Sequence, residues 1–335
     1  MKEKIGVIGA GSWGTTLADL LAKRGHDVIL WVYEPELVHE MRETGVNGLF
    51  LPGISLSPRL RYTNSLREAV TDRDILLFVV PSQLLRGVIM NSLAYLPENA
   101  VIVSASKGIE LGTLKLVSQI FEELLPDLLY RNFSALSGPT FALEVARGMP
   151  TAVVAAALEP SVAERIQRAF TTEYFRVYTN RDVTGVELGG AVKNVVAIAA
   201  GISDGLGFGH NTRAALITRG LAEMARLGHE MGAKPSTFAG LAGMGDLVLT
   251  CTGDLSRNRT VGMKLGKGMS LGEILAEMRM VAEGVKTTES TRELARRLGV
   301  DMPITEKLFQ VLYEDKPVKG AVMELMTRNL KAEGA

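Results

Sequence analysis

The sequence predicts an α/β chain in two parts, a mostly parallel sheet domain over residues 1–181 and an all-α domain over residues 182–335. Three observations carry that reading. Through the first half, short β-branched runs alternate with segments of helical period, the pattern of βαβ units around a parallel sheet. One of these runs, Ile75-Leu76-Leu77-Phe78-Val79-Val80, has no polar alternation, as a strand covered by helices on both faces requires. Beyond about Asp182 the strand-like runs stop, and long segments such as 183–202 and 213–232 carry small and apolar residues at helical spacing.

Taken in order, strands are expected at 5–8, 28–32, 75–80, 101–104, 133–136 and 152–156, and helices dominate after them. A length of 335 residues exceeds the roughly 100–200 usual for one domain, so two cores are expected. No Pro/Ser-rich linker separates them. The helix beginning near Asp182 should therefore pack directly on the sheet domain, and the cleft between the two is the natural site.

Lys plus Arg number 37 and Asp plus Glu also 37, so no net field draws the chain onto nucleic acid or anionic lipid, and an anionic ligand needs a local cluster. The single cysteine, Cys251, excludes an internal disulfide and a multi-cysteine metal site and reads as a small buried hydrophobe. The four histidines lack metal-ligand spacing, so no metal is expected. Met1-Lys2-Glu3-Lys4 leads directly into a strand-like run, and no stretch supplies about 18 consecutive apolar residues, so neither a signal peptide nor a membrane span is expected. These features together point to the cytoplasm.

Gly9-Ala10-Gly11-Ser12-Trp13-Gly14 is a G-x-G-x-x-G placed between a strand and the helical segment 15–23. Gly9 and Gly11 allow a tight turn and close backbone approach to a pyrophosphate, Gly14 allows close helix packing, and the helix N-terminus offers amide donors. The motif makes the sheet domain Rossmann-like and implies a dinucleotide. Glu34, about 20 residues on, is positioned to accept from a ribose 2′-hydroxyl and would repel a 2′-phosphate, which favours NAD over NADP. Tyr33 is available to lie along the adenine. The plainer reading of Glu34 is a solvated charge at a strand end.

Lys107 follows the strand ending at Ser104, at a carboxyl edge where ligands of open sheets sit; an isolated lysine is more often surface charge. Lys193 stands inside the small, apolar helical stretch 187–197, where desolvation would lower its pKa and let it exchange a proton near neutrality, unless it snorkels out. Its neighbour Asn194 either orients a substrate hydroxyl or caps a carbonyl. Asp246, in the glycine-dense turn 240–247, either pairs with Lys193 or caps the following helix. Ser256-Arg257-Asn258-Arg259 gathers hydroxyl, guanidinium and amide donors at a helix start, a phosphate subsite or else a surface cap.

Together with Ser137-Gly138-Pro139-Thr140-Phe141-Ala142, Gly243-Met244-Gly245-Asp246-Leu247 and Val281-Ala282-Glu283-Gly284, these stretches resemble the bacterial-type NAD(P)-dependent glycerol-3-phosphate dehydrogenases across nearly the whole chain. The resemblance implies that Ser12, Trp13, Ala142, Arg257, Val281 and Glu283 face the dinucleotide, as Lys107 does. It also implies that Lys107, Gly138, Thr140, Lys193, Asp246, Ser256, Arg257 and Asn258 meet substrate, with Lys193, Lys107 and Asp246 as the catalytic set. Many bacterial members look adapted to NADP by a basic residue after the second strand, whereas Trp31-Val32-Tyr33-Glu34 looks like NAD-using relatives.

The expected reaction reduces dihydroxyacetone phosphate to sn-glycerol 3-phosphate, with Lys193 protonating the developing alkoxide and Lys107 polarising the same oxygen, in a homodimer supplying glycerophospholipid synthesis. A hydroxyacid dehydrogenase on the same fold and a nucleotide-sensing protein without turnover are the two competing readings.

Overall fold

The computed structural model describes residues 2–278, 282–330 and 332–333. Eight strands form one sheet: β1 Lys4–Ile8, β2 Asp27–Trp31, β3 Arg61–Thr63, β4 Ile75–Phe78, β5 Val101–Ser104, β6 Phe133–Ser137, β7 Thr151–Ala156 and β8 Phe175–Asn180. Their order is β3-β2-β1-β4-β5-β6-β7-β8, with every pair parallel except β6 against β7. All six expected runs are strands, within two residues at each end. β3 and β8 were not expected. Both lie at the outer edges, where one face is wet: β3 has only three residues, and in β8 Phe175 and Val177 turn inward while Arg176 and Tyr178 face solvent.

The chain leaves β1 toward β2 on one side and returns to β4 on the other. Ile5 pairs with Val28 on one flank and Ile75 on the other. The carboxyl ends of β1 and β4 are thus neighbours at the point where strand order reverses, where open α/β sheets bind ligands. The interior strands are apolar because helices cover both faces: Leu17 and Leu21 pack on one side of the sheet, Phe78, Phe121 and Phe133 on the other.

After Asn180 the described chain is helical. Asp182 caps the central helix Val183–Gly205, its Oδ1 accepting from the Gly185 N–H at 2.9 Å while Oδ2 accepts from the Lys234 N–H and the Thr237 hydroxyl. This helix is apolar all round because other helices surround it. Among the described residues it alone is long and apolar enough to cross a membrane by length and composition, and 89% of that window is buried inside the protein. The helices His210–Glu230, Asp246–Thr252, Arg257–Gly266 and Glu283–Leu298 pack around it. Against Arg257–Gly266 the approach is backbone to backbone, since a Cβ on Gly262 would lie 2.0 Å from the Ile198 carbonyl oxygen.

The central helix also belongs to the sheet side. Val183 and Val186 pack in the same cluster as Phe78 and Phe121, and the buried Glu187 carboxylate accepts from the Ser118 N–H and hydroxyl on the helix Val117–Leu124.

Candidate active site

The glycine turn follows directly from β1. Gly9 has φ 114°, a conformation that side chains rarely adopt, and a Cβ on Gly14 would lie 1.9 Å from the Gly9 carbonyl oxygen. The helix Ser12–Lys23 then starts with Gly11 at its N-cap and no side-chain cap, so its first amides point outward without a side-chain acceptor. Nothing lies within 4 Å of where a Gly11 Cβ would sit. An open cradle over uncapped helix amides fits a pyrophosphate. The buried Asn47 pins the turn from behind, its amide donating to the Ala10 carbonyl at 2.9 Å and the Thr15 hydroxyl at 2.8 Å.

The other residues expected at the dinucleotide distribute around this cradle. Trp13 turns its ring toward Phe175, 6.4 Å between centroids, and so packs on the core beneath the turn. Ala142 is held against the same helix by the Thr16 hydroxyl, which donates to its carbonyl at 3.2 Å. Tyr33 is 76% exposed just past β2, edge-on to Trp31, and Glu34 beside it is half-buried, its carboxylate without a hydrogen bond or ion pair among the described residues. Glu283 is half-buried and accepts from the Ser82 N–H at 3.2 Å; burial raises its carboxyl pKa, while Ser82 and the cations of Arg257, Lys107 and Lys193 oppose that rise. Val281 lies outside the described residues.

Both lysines meet on one carboxylate. Lys193, 6% exposed on the central helix, donates to Asp246 Oδ1 and, at 3.0 Å, to the Thr250 hydroxyl. Lys107 comes from the loop after β5 and donates to Asp246 Oδ2 at 2.7 Å and toward the Gly138 carbonyl at 3.4 Å. Asp246 itself is wholly buried. Burial pushes the Lys193 ammonium down to about 8; Asp246 opposes this, and Lys107 adds to it.

Neither lysine is a surface charge, therefore, and Lys193 does not snorkel. The expectation that Asp246 pairs with Lys193 holds, and the alternative of a helix cap does not. The segment expected as a turn is a single π-helical turn, Leu241–Gly245, that runs into Asp246–Thr252, so Asp246 is the first residue of that helix rather than its cap. Gly190 makes room for the pair: a Cβ there would lie 3.5 Å from Lys107 Cγ and Cδ and 2.8 Å from the Ser137 hydroxyl.

The donor cluster divides. The buried Ser256 caps the helix Arg257–Gly266, accepting from the Arg259 N–H at 3.2 Å. Arg259 turns away to Asp204 at 2.8 Å and Asp254 at 2.9 Å, and Arg257, the first residue of the helix, is exposed. Asn258 donates to Asn194 Oδ1 at 2.9 Å and accepts from the Gly284 N–H at 3.0 Å. Asn194 thus neither caps a carbonyl nor stands free: this amide bridge ties the neighbours of Lys193, Arg257 and Glu283 together. Gly138 and Thr140 close the side nearest Lys107, with the Thr140 hydroxyl donating to the Gly138 carbonyl at 3.4 Å.

A family model described as NAD-dependent glycerol-3-phosphate dehydrogenase N-terminus matches residues 4–163, and the corresponding C-terminus model matches residues 182–323. The chain belongs to this family. The glycerol-3-phosphate dehydrogenase [NAD(P)+] of Geobacter sp. strain M21 is 71% identical over 334 residues, covering all of both chains. Among solved structures, the glycerol-3-phosphate dehydrogenase of Coxiella burnetii is 40% identical with a TM-score of 0.93, covering 98% of this chain and 99% of that one. That of Saccharomyces cerevisiae is 29% identical with a TM-score of 0.83, covering 98% and 100%. Within the family frame, sequence reasoning missed Asn47 and left Asn194 undecided; Ser82 was expected only at a ligand-binding strand end, not as the partner of Glu283. Asn47 holds the Ala10 carbonyl across a long loop, and no local spacing signals that. Among the described residues no group of His, Cys, Asp and Glu could hold a metal.

Proposed function

We propose that the chain interconverts dihydroxyacetone phosphate and sn-glycerol 3-phosphate at the cleft between a sheet domain, 1–181, and a helical domain, 182–335, and so supplies glycerophospholipid synthesis. The observation that carries the catalytic assignment is the pair of lysines sharing one buried carboxylate, with Lys107 following β5 at the same carboxyl edge of the sheet as the glycine turn after β1. When bound, NAD(H) or NADP(H) supplies or takes up the hydride at the substrate's central carbon. Lys193 holds the proton that the oxygen on that carbon gains in reduction and loses in oxidation; with its pKa pushed down to about 8, both forms are accessible near neutrality. Asp246 orients the lysines. Lys107 presents a second positive charge toward the developing oxyanion. Arg257, with the donors of Ser256 and Asn258, holds the phosphate, and Gly138 and Thr140 bound the three-carbon chain.

Gly9, Gly11, Ser12 and Gly14 cradle the pyrophosphate, Tyr33 and Glu34 take the adenosine end, and Ala142, Trp13, Arg257, Val281 and Glu283 surround the remainder. An unpaired Glu34 carboxylate supports NAD over NADP. A homodimer is inferred from the resemblance; light scattering should give twice the chain mass. A cytoplasmic location is supported by the single thiol, Cys251, buried and pushed up to about 12, which makes it inert.

The test follows oxidation of NADH and NADPH in parallel, with dihydroxyacetone phosphate and with unphosphorylated dihydroxyacetone. Fast turnover is expected only with the phosphate ester, and faster with NADH. Equal activity on the unphosphorylated ketone would remove the phosphate subsite.

A further inference from the structure

A cavity of about 480 Å³ opens beside the central helix, two to three turns beyond Lys193. Its volume falls within the range of about 300–1,000 Å³ common for small-molecule sites. Its walls come from four helices, Val183–Gly205, His210–Glu230, Pro303–Tyr313 and Val318–Met326, which contribute among others Ile202, Leu216, Ile304, Leu308 and Val322, and from residues after the last helix, among them Arg328 and Glu333. None of the residues assigned to the reaction lines it.

Two polar features interrupt the apolar walls. Ser203 lines the cavity, and its hydroxyl, enclosed by the surrounding atoms, has no hydrogen-bond partner among the described residues. The charges around the cavity are also lopsided: Arg219, Arg226, Lys307 and Arg328 against Glu223 and Glu333. Glu223 is occupied, since its carboxylate accepts from the Ile304 and Thr305 N–H groups and the Thr305 hydroxyl and so caps the helix Pro303–Tyr313. Arg226 donates to the Asp301 backbone carbonyl, Arg328 donates to the Asp301 carboxylate, and Lys307 pairs with Glu324. Arg219 has only the Glu333 carbonyl at 3.5 Å, and no carboxylate among the described residues.

We propose that this cavity binds an anionic amphiphile, one apolar chain ending in a carboxylate or phosphate, with the head on Arg219 and the chain between the helices. A charged head accepting from the guanidinium supplies the counter-charge that Arg219 lacks among the described residues. An uncharged ligand supplies none, and a cationic one meets the like charge of Arg219.

The test is calorimetric titration of the full-length protein with decanoate and with decyl phosphate, each below its aggregation threshold, and with decyltrimethylammonium as the opposite-charge control. Saturable one-to-one binding is expected for at least one anion, and the stronger of the two identifies the head group. Arg219→Ala should weaken it by about tenfold or more, the scale of one charge-assisted hydrogen bond. Val322→Trp, which fills the cavity from its outer wall, should abolish it while dehydrogenase turnover certifies the fold of both variants. The proposal is overturned if neither anion binds, if the ammonium amphiphile binds as well, or if both variants bind like the parent. It is also overturned if the anions do not bind while Val322→Trp halves the particle mass, which would make this face a contact between two copies of the chain.

Discussion

Lys193 shows how one environment sets one proton. Desolvation by the central helix and its neighbours lowers the pKa, and the Asp246 carboxylate keeps it from falling further. With the group near 8, its ammonium form serves reduction and its neutral form serves oxidation. Reduction of dihydroxyacetone phosphate should therefore decline as pH rises through about 8, and oxidation of glycerol 3-phosphate should climb over the same interval, as read from kcat in both directions. Profiles with no inflection between about 7 and 9 would detach the rate from this residue. Arg257→Ala should raise KM for the phosphorylated substrate by about ten- to a hundredfold, the effect of one lost charged contact, with a smaller change in kcat. Glu34→Ala should narrow the preference for NADH over NADPH by removing the charge that repels a 2′-phosphate, which competing KM values for the two dinucleotides would show.

At the scale of elements, close approaches and buried carboxylates hold the site in place. Gly14→Ala sets a Cβ 1.9 Å from a carbonyl oxygen that belongs to the glycine turn itself, so the helix must move off the strand. The expected result is loss of dinucleotide binding in a chain that keeps most of its helical circular dichroism.

Glu187 ties the catalytic helix to the sheet side through Ser118, and burial pushes its carboxyl up to about 7 from 4.5. A carboxyl raised in the folded state contributes stability that is complete below about 4.5 and is lost as pH rises through about 7, up to about 3 kcal/mol by linkage. Glu187→Gln should thus gain stability relative to the parent between pH 5 and 8 in urea unfolding, and a pH-independent difference would count against it.

The six interior strands and the start of the central helix near Asp182 were legible because burial on both faces and the change from strand-like runs to helical spacing leave local marks in the sequence. β3 and β8 were not, since an edge strand mixes polar and apolar residues as loops do. The site divides the same way. Gly9 to Gly14 and Lys193 carry local signals, whereas Asn47, Ser82 and the Asn194–Asn258 bridge act between segments far apart in the chain.

For the whole molecule, the central helix is shared property. Its first turns pack with the sheet, its middle carries Lys193, and its last turns wall the apolar cavity. That continuity explains how residues from the loop after β5, the central helix and the helix Asp246–Thr252 converge on one carboxylate without a linker between the halves. The account stands on a proton held by a desolvated amine at that point of convergence. The most direct test measures, on one preparation of Lys193→Ala, turnover of dihydroxyacetone phosphate together with the Kd for the reduced dinucleotide. The account predicts a loss of about 10² to 10⁴ in kcat with Kd unchanged. Turnover within a few fold of the parent chain would contradict it.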